Sequence, residues 1–400
     1  MTDLLMVGVG VMGRPYLGAA ARLGCQVRAV ETTAGPEAAG VKYYRIGNGV
    51  EESWLAGVAQ AVAEQVPDGI IAFAEPHVLA GALAQDQLSR PGPSLRAAVI
   101  SRNKALQRAQ CGGYGLPQPD YLLTPDLRQA RDWLLEHLPV VVKPVDRSGS
   151  EGVELVTTRR EADQLLERRA GEGKLLVERA VDGPEYSWEA LVQDGEVRFE
   201  NITAKETTPP PYFVELCHRC GHRFPPPVAA QVQALTRGVL QAIGMRTGLV
   251  HLEFRVAATG PVLMEVAVRT PGDYLTDAVG LAFEVDLYQA MVELALGRPP
   301  DSLAGRPPGG APRSYSATLF LTCPPGRISR ISGDAEVRAH PAVRRVWLRR
   351  QPGDVVAPLT SSDQRLGHVL VNAGSPEERE EALAFARERL RFSVDGGDRV

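Results

Sequence analysis

Glu253 and Glu265 stand on either side of a short polar break in "GLVHLEFRVAATGPVLMEVAVR", a stretch that reads as two strands joined by a tight turn. A turn centred on Thr259 puts Glu253 opposite Glu265 and His251 opposite Ala267, and alternate strand residues share a face. Two carboxylates directly opposite lie about 5 Å apart and repel by roughly 3 kcal/mol at an effective dielectric near ~20. A bound cation removes that cost. Oxygen-only ligands suit Mg²⁺ (or Mn²⁺), which takes one or two carboxylates together with substrate phosphates and water. Arg269, beyond Glu265 on the same face, is placed to hold a phosphoryl group in transfer. The competing reading is a turn shifted by one residue, which leaves the acids on a solvated sheet face.

Three other stretches carry candidate chemistry. In "VVVKPVDRSGSEGVELV" an apolar strand delivers Lys143 near a core, where its charge needs an anion or a hydrogen-bonded partner. The following loop, with Ser148, Gly149, Ser150 and Gly152, can turn backbone N–H groups towards phosphate oxygens. A polar hairpin turn with a snorkelling lysine is the plainer alternative. Near the N-terminus, "GVGVMG" spells a G-x-G-x-x-G turn (Gly8, Gly10, Gly13) between a strand and a helix, with the acid Glu31 ending the next strand. That is a dinucleotide fingerprint, or else a turn that lets a helix pack closely on its strand. Finally, "ELCHRCGHRFPPP" brings Cys217, His218, Cys220 and His222 within six residues, in imitation of a zinc knuckle. So compact a set hardly closes one tetrahedral site. The stretch reads instead as a loop, either an ordinary surface loop or one near the substrate where His218 or Arg219 can meet a carboxylate.

The elements that must position these groups fall into two or three domains, as 400 residues suggest. Residues 1–100 alternate strands and helices as a small doubly wound unit, and residues 101–310 turn strand-rich, ending in a helix over about 276–297. A Pro/Gly-rich stretch, "GRPPDSLAGRPPGGAPRS", then leads into residues 311–400, with further strands and the helix "SPEEREEALAFARERLRF". A net charge of −4 and no basic stripe argue against a nucleic-acid partner and favour small-molecule substrates. No apolar run approaches the ~20 residues of a membrane span, so no membrane partner and a cytoplasmic location are expected. Five scattered cysteines fit reduced thiols rather than a disulfide framework.

With these motifs in this order, nearly the whole chain resembles the ATP-grasp superfamily, especially carboxylate–amine ligases such as the bacterial L-amino acid (dipeptide) ligases. The resemblance implies α/β and α+β architecture: an N-terminal Rossmann-like (pre-ATP-grasp) domain, a central ATP-grasp domain and a small C-terminal α+β domain. It makes "NKALQR" the first ATP lysine segment (Lys104), and "VVVKPVDRSGSEGV" the second lysine, Lys143, with the triphosphate-covering loop. "LLVERAVDGPEYSWEALVQDG" is similar to the hinge, where Glu178, Arg179, Ala180 and Val181 would contact the base and Glu185 the ribose. Glu253 and Glu265 would hold Mg²⁺, and Arg269 would clamp phosphate. His218, Arg269, Pro271 and Gly272 would face substrate, and Arg269 and Lys143 would act in catalysis. Ala267 stands where the family's E-x-N-x-R metal strand has asparagine, leaving a metal ligand to water or substrate. The implied reaction passes through an acyl phosphate to an amide, with release of ADP and phosphate, and a homodimer is compatible with it. Rival readings are carboxylation through carboxyphosphate, an NAD-dependent oxidoreductase built on Gly8, Gly10, Gly13 and Glu31, and a nucleotide sensor without turnover. Under the resemblance the "GVGVMG" turn serves packing.

Overall fold

The computed structural model describes residues 2–33, 35, 38–147 and 149–395. Ser148, one of the expected phosphate-loop residues, lies outside the described residues. The N-terminal unit is a parallel four-stranded sheet of β1 (Thr2–Val7), β2 (Cys25–Thr32), β3 (Lys42–Ile46) and β4 (Gly69–Ala72), in the order β3-β2-β1-β4. β1 and β4 are nearly continuous apolar runs because helices cover both faces.

A second four-stranded sheet, order β5-β8-β6-β7, contains β5 (Tyr121–Thr124), β6 (Val140–Pro144), β7 (Glu154–Val156) and β8 (Leu175–Arg179). Beside it runs the largest sheet. Its strands are β9 (Glu185–Gln193), β10 (Glu196–Thr207), β11 (Glu215–Cys220), β12 (Gly248–Ala257), β13 (Gly260–Ala267) and β14 (Tyr315–Leu321), joined by strands from the C-terminal part. That part supplies β15 (Gly326–Ser332), β16 (Val343–Leu348), β17 (Val355–Val356), β18 (Gly367–Ala373) and β19 (Arg391–Asp395). The eight-stranded order is β13-β12-β9-β10-β11-β14-β18-β16, while β17-β15-β19 form a separate small sheet. The division proposed at 310 falls in the connection before β14, yet β14 pairs with β11, so the sheet passes through it unbroken.

One face of the large sheet is apolar. Trp188, Ala190, Leu252, Phe254, Leu263 and Val266 pack there against the helix Pro226–Ile243, each burying roughly 1–3 kcal/mol of transfer free energy. The other face is polar at one end. Glu185, Ser187 and Glu189 of β9 lie beside Arg255, Glu253 and His251 of β12, and beside Asn201, Thr203 and Lys205 of β10.

Two sequence expectations need correction. "CHRC" is not a loop but β11, a central strand between β10 and β14. Its cysteines, buried on opposite faces, gave it the look of a compact ligand set: Cys217 sits in the C-terminal core and Cys220 in the core under the helix Leu275–Phe283. The single helix expected over 276–297 is two, Leu275–Phe283 and Leu287–Ala295. The break falls at Glu284, with φ of 54°, and Asp286 caps the second helix by accepting from Gln289 N. Among the described residues no helix is long and apolar enough to cross a membrane.

Candidate active site

The polar end of the large sheet floors a cleft of about 660 Å³ whose opposite wall is the small β5–β8 sheet. The β12–β13 hairpin brings Glu253 opposite Glu265 and His251 opposite Ala267, as the sequence predicted. The route differs. The tight turn joins Ala257 to Gly260, and a bulge at Met264 restores the pairing, since Phe254 faces Leu263 while Glu253 faces Glu265. Without the bulge Glu265 would face the apolar core. Arg108 fixes it by donating from Nη2 to the Met264 carbonyl at 2.7 Å.

Each opposed carboxylate has its own lysine, so their repulsion is already offset without a metal ion. Lys205 Nζ lies 2.7 Å from Glu253 Oε1, and Lys104 Nζ 3.1 Å from Glu265 Oε1. Among the described residues neither Oε2 has a hydrogen-bond partner. Two half-buried carboxylates with free oxygens in one cleft fit a hard cation such as Mg²⁺. Among the described residues no set of three or more His, Cys, Asp or Glu is gathered for a metal, so the remaining ligands would be phosphate oxygens and water. Ala267 offers none.

Lys205, which sequence reasoning missed, is the centre of this floor. Its Nζ also meets Glu185 at 2.8 Å and Glu215 at 3.5 Å. Burial opposes its charge, but the three carboxylates raise its pKa well above the ordinary lysine value. Burial likewise opposes the charge on Glu253, and Lys205 and His251 hold it well below the usual carboxylate range. The one available signal was the alternation Asn201, Thr203, Lys205 along β10.

Lys143 has an internal partner. Glu178, 3% exposed, binds Lys143 Nζ and Arg108 Nε, both at 2.6 Å. The Glu178 side chain therefore neutralises the buried lysine rather than meeting a base. Burial lowers the Lys143 pKa, and Glu178 opposes that shift. Next along the hinge, the Ala180 N–H is taken by the Pro139 carbonyl and the Val181 carbonyl by Arg255. The Val181 N–H keeps no partner among the described residues, a donor that a purine ring nitrogen can accept from, while the Ala180 carbonyl of the same peptide points the opposite way. Both oxygens of Glu185 are engaged, by Lys205 and Arg255.

Lys104, Lys143, Gly149, Ser150, Glu178, Arg179, Ala180, Val181, Glu185, His218, Glu253, Glu265, Arg269 and Gly272 all line this cleft. Gly152 and Pro271 do not. Gly152 backs the loop, its carbonyl accepting from Arg169 and the Pro144 ring crowding the space a Cβ on it would need, and Pro271 is buried. Arg269 Nε binds Glu75 of the N-terminal unit at 2.5 Å. His218 Nε2 lies 3.1 Å from Asp273, which Arg365 also grips with both Nη atoms.

The "GVGVMG" turn is occupied by the chain itself. Glu31 Oε2 accepts from Val9 N at 2.8 Å and Gly10 N at 3.1 Å, and the His77 ring fills the space a Cβ on Gly8 would need. The acid expected to hold a ribose is thus 5% exposed and bound to the turn's own amides.

A family model described as an ATP-grasp domain matches residues 136–277, and a second, L-amino acid ligase C-terminal domain 2, matches residues 319–395. The chain carries an ATP-grasp domain and has the ATP-grasp fold. This ATP-grasp protein is 31% identical to the uncharacterised protein y4rH of Sinorhizobium fredii, over 76% of this chain and 63% of that one. It is 24% identical to the L-arginine-specific L-amino acid ligase of Bacillus subtilis, over 80% of this chain and 79% of that enzyme. In fold it is similar to the crystal structure of an L-amino acid ligase from Bacillus licheniformis, with a TM-score of 0.84, 23% identity and 99% of each chain covered.

Proposed function

We propose that this ATP-grasp protein is an ATP-dependent carboxylate–amine ligase that joins amino acids through an acyl phosphate. The observation that carries the reading is the content of one cleft: three lysines, two opposed carboxylates with free oxygens, Arg269, a glycine loop and an unpaired hinge donor. The similarity to L-amino acid ligases supports the substrate class.

The Val181 N–H would donate to an adenine ring nitrogen, Glu185 would hold a ribose hydroxyl, and Lys104 and Lys143 the phosphates. Glu253 and Glu265 would hold Mg²⁺, which when bound screens phosphate charge and orients the terminal phosphoryl group. A carboxylate oxygen of the first substrate attacks the γ-phosphorus, and the bond to the ADP oxygen breaks. Arg269, kept in place by Glu75, stabilises charge on the phosphoryl oxygens. The amine nitrogen of the second substrate then attacks the acyl carbon and loses a proton. Orthophosphate departs with one oxygen of the acid.

The test uses amino acid pairs with ¹⁸O in the carboxylate. One label must appear in the released phosphate, with ADP as the nucleotide product. AMP and pyrophosphate, label absent from phosphate, or bicarbonate replacing the acid would each refute the reading.

A further inference from the structure

The glycine loop of the cleft holds an unusual backbone. Gly149, Ser150 and Gly152 have φ of 66°, 58° and 72°, and Ser150 pays a steric penalty there that glycine avoids. Surrounding contacts must fix such a conformation. The only described backbone donor to the Gly149 carbonyl is the N–H of Ser362, at 3.2 Å, from the C-terminal part of the chain. Ser150 Oγ meets the Phe213 carbonyl at 3.4 Å.

Ser362 is tied on its other side to the cleft floor. Its Oγ donates to Glu215 Oε2 at 2.7 Å, and Glu215 contacts Lys205, the lysine that binds Glu253. The turn that carries it is held independently: Gln364 Oε1 accepts from Ser361 N at 2.6 Å, and Arg365 Nε donates to the Ser362 carbonyl at 3.0 Å. Arg365 is itself anchored on Asp273.

A trans peptide is planar, with its C=O and N–H pointing in opposite directions. Fixing the Gly149 carbonyl on Ser362 therefore fixes the direction of the Ser150 N–H. That N–H has no acceptor among the described residues, and Gly149, Ser150 and Ser362 all line the cleft. We infer that Ser362 is a positioning residue: its backbone N–H sets the Gly149–Ser150 peptide so that the Ser150 N–H is presented to a nucleotide phosphate, and its hydroxyl registers that loop against the Glu215–Lys205–Glu253 chain. The inference rests on the proposed nucleotide site.

Proline can isolate the N–H. Ser362 is the first residue of a short 3-10 turn and Ser361 is extended, with φ of −152° and ψ of 167°. Proline is tolerated after an extended residue and at a first helical position, where no intrahelical bond uses the N–H. Calorimetry on the full chain with Mg²⁺ and a non-hydrolysable ATP analogue, compared with AMP, reads the effect. Ser362→Pro should weaken the analogue about tenfold, the size of one charge-assisted hydrogen bond, and leave AMP unchanged. Ser362→Thr should match the wild type, and Ser362→Ala, which keeps the N–H, should lie between. Unchanged analogue binding in Ser362→Pro, or equal loss for analogue and AMP, would overturn the inference alone. Wild-type protein that bound neither would overturn the nucleotide site and the inference with it. If Ser362→Pro did not fold, amide hydrogen exchange on the wild type decides: the Ser362 N–H should be protected further by the analogue, and exchange at the unprotected rate would refute the role.

Discussion

Two glycine-rich turns end strands in this molecule, and they have opposite fates. The turn at Gly8–Gly13 has the better-known motif, yet its amides are taken by the Glu31 carboxylate and its surface by His77. The loop at Gly149–Gly152 has no such motif, and the Ser150 N–H is left without an acceptor among the described residues. What distinguishes a binding loop from a packing turn is therefore where its donors go. A buried carboxylate one strand away is enough to convert the first kind into the second.

The comparison can be broken or sharpened by mutation. The largest effect is expected on the open side, at Glu265, where Ala267 offers no substitute ligand. Glu265→Gln should lower ATP-dependent phosphate release by roughly a thousandfold or more, with normal unfolding. Retention of a tenth of the activity would remove the β12–β13 pair from the reaction.

Next comes the charge beneath the open loop. Glu178→Gln leaves Lys143 and Arg108 buried without their shared anion, and should cost about 3 kcal/mol in chemical denaturation. A loss under about 0.5 kcal/mol, the range of ordinary surface substitutions, would show that the pair is dispensable.

On the closed side, Glu31→Gln should destabilise the protein by about 1–2 kcal/mol, because a charged acceptor of two buried amides is lost. ATP-analogue affinity should stay within about twofold, a change of only ~0.4 kcal/mol. A tenfold loss would mean that the first turn takes part in nucleotide binding. In the same protein NAD and NADP should give no heat of binding, and micromolar affinity lost on Gly10→Ala would reverse the comparison.

The smallest effect concerns metal and stability. Lys205 and Lys104 already neutralise the opposed carboxylates, so chelation should abolish turnover while shifting Tm by no more than about 1 °C, under ~1 kcal/mol for a chain of this size. A large fall in Tm would show that the cation, rather than the lysines, holds the hairpin pair.

The sequence was most legible where chemistry repeats at a short period. Glu253 and Glu265 could be paired because a strand alternates every two residues around a recognisable turn, even though the turn lies half a residue from the expected centre and a bulge corrects for it. Lys104, Lys143 and the hinge followed from their order along the chain. Residues whose meaning depends on distant partners stayed hidden: Lys205 needs Glu185, Glu215 and Glu253, Arg365 needs Asp273, and Ser362 needs Gly149. β11 was misread for a related reason. Its cysteines and His218 look like a ligand set when adjacent in sequence, but alternation sends Cys217 and Cys220 to different faces, and only the neighbours β10 and β14 show it to be a strand.

The unbroken sheet through β11 and β14 has a consequence for anyone who would cut or graft this chain. A gene truncated near residue 310 would end in good-looking loop sequence, but the product would carry β11 as a raw border, with its Cys217–Arg219 ladder to β14 stripped of partners. The last ninety or so residues are thus not a cassette to be exchanged between relatives at the proline-rich joint. Any chimera would have to transplant the seam together with both strands that form it.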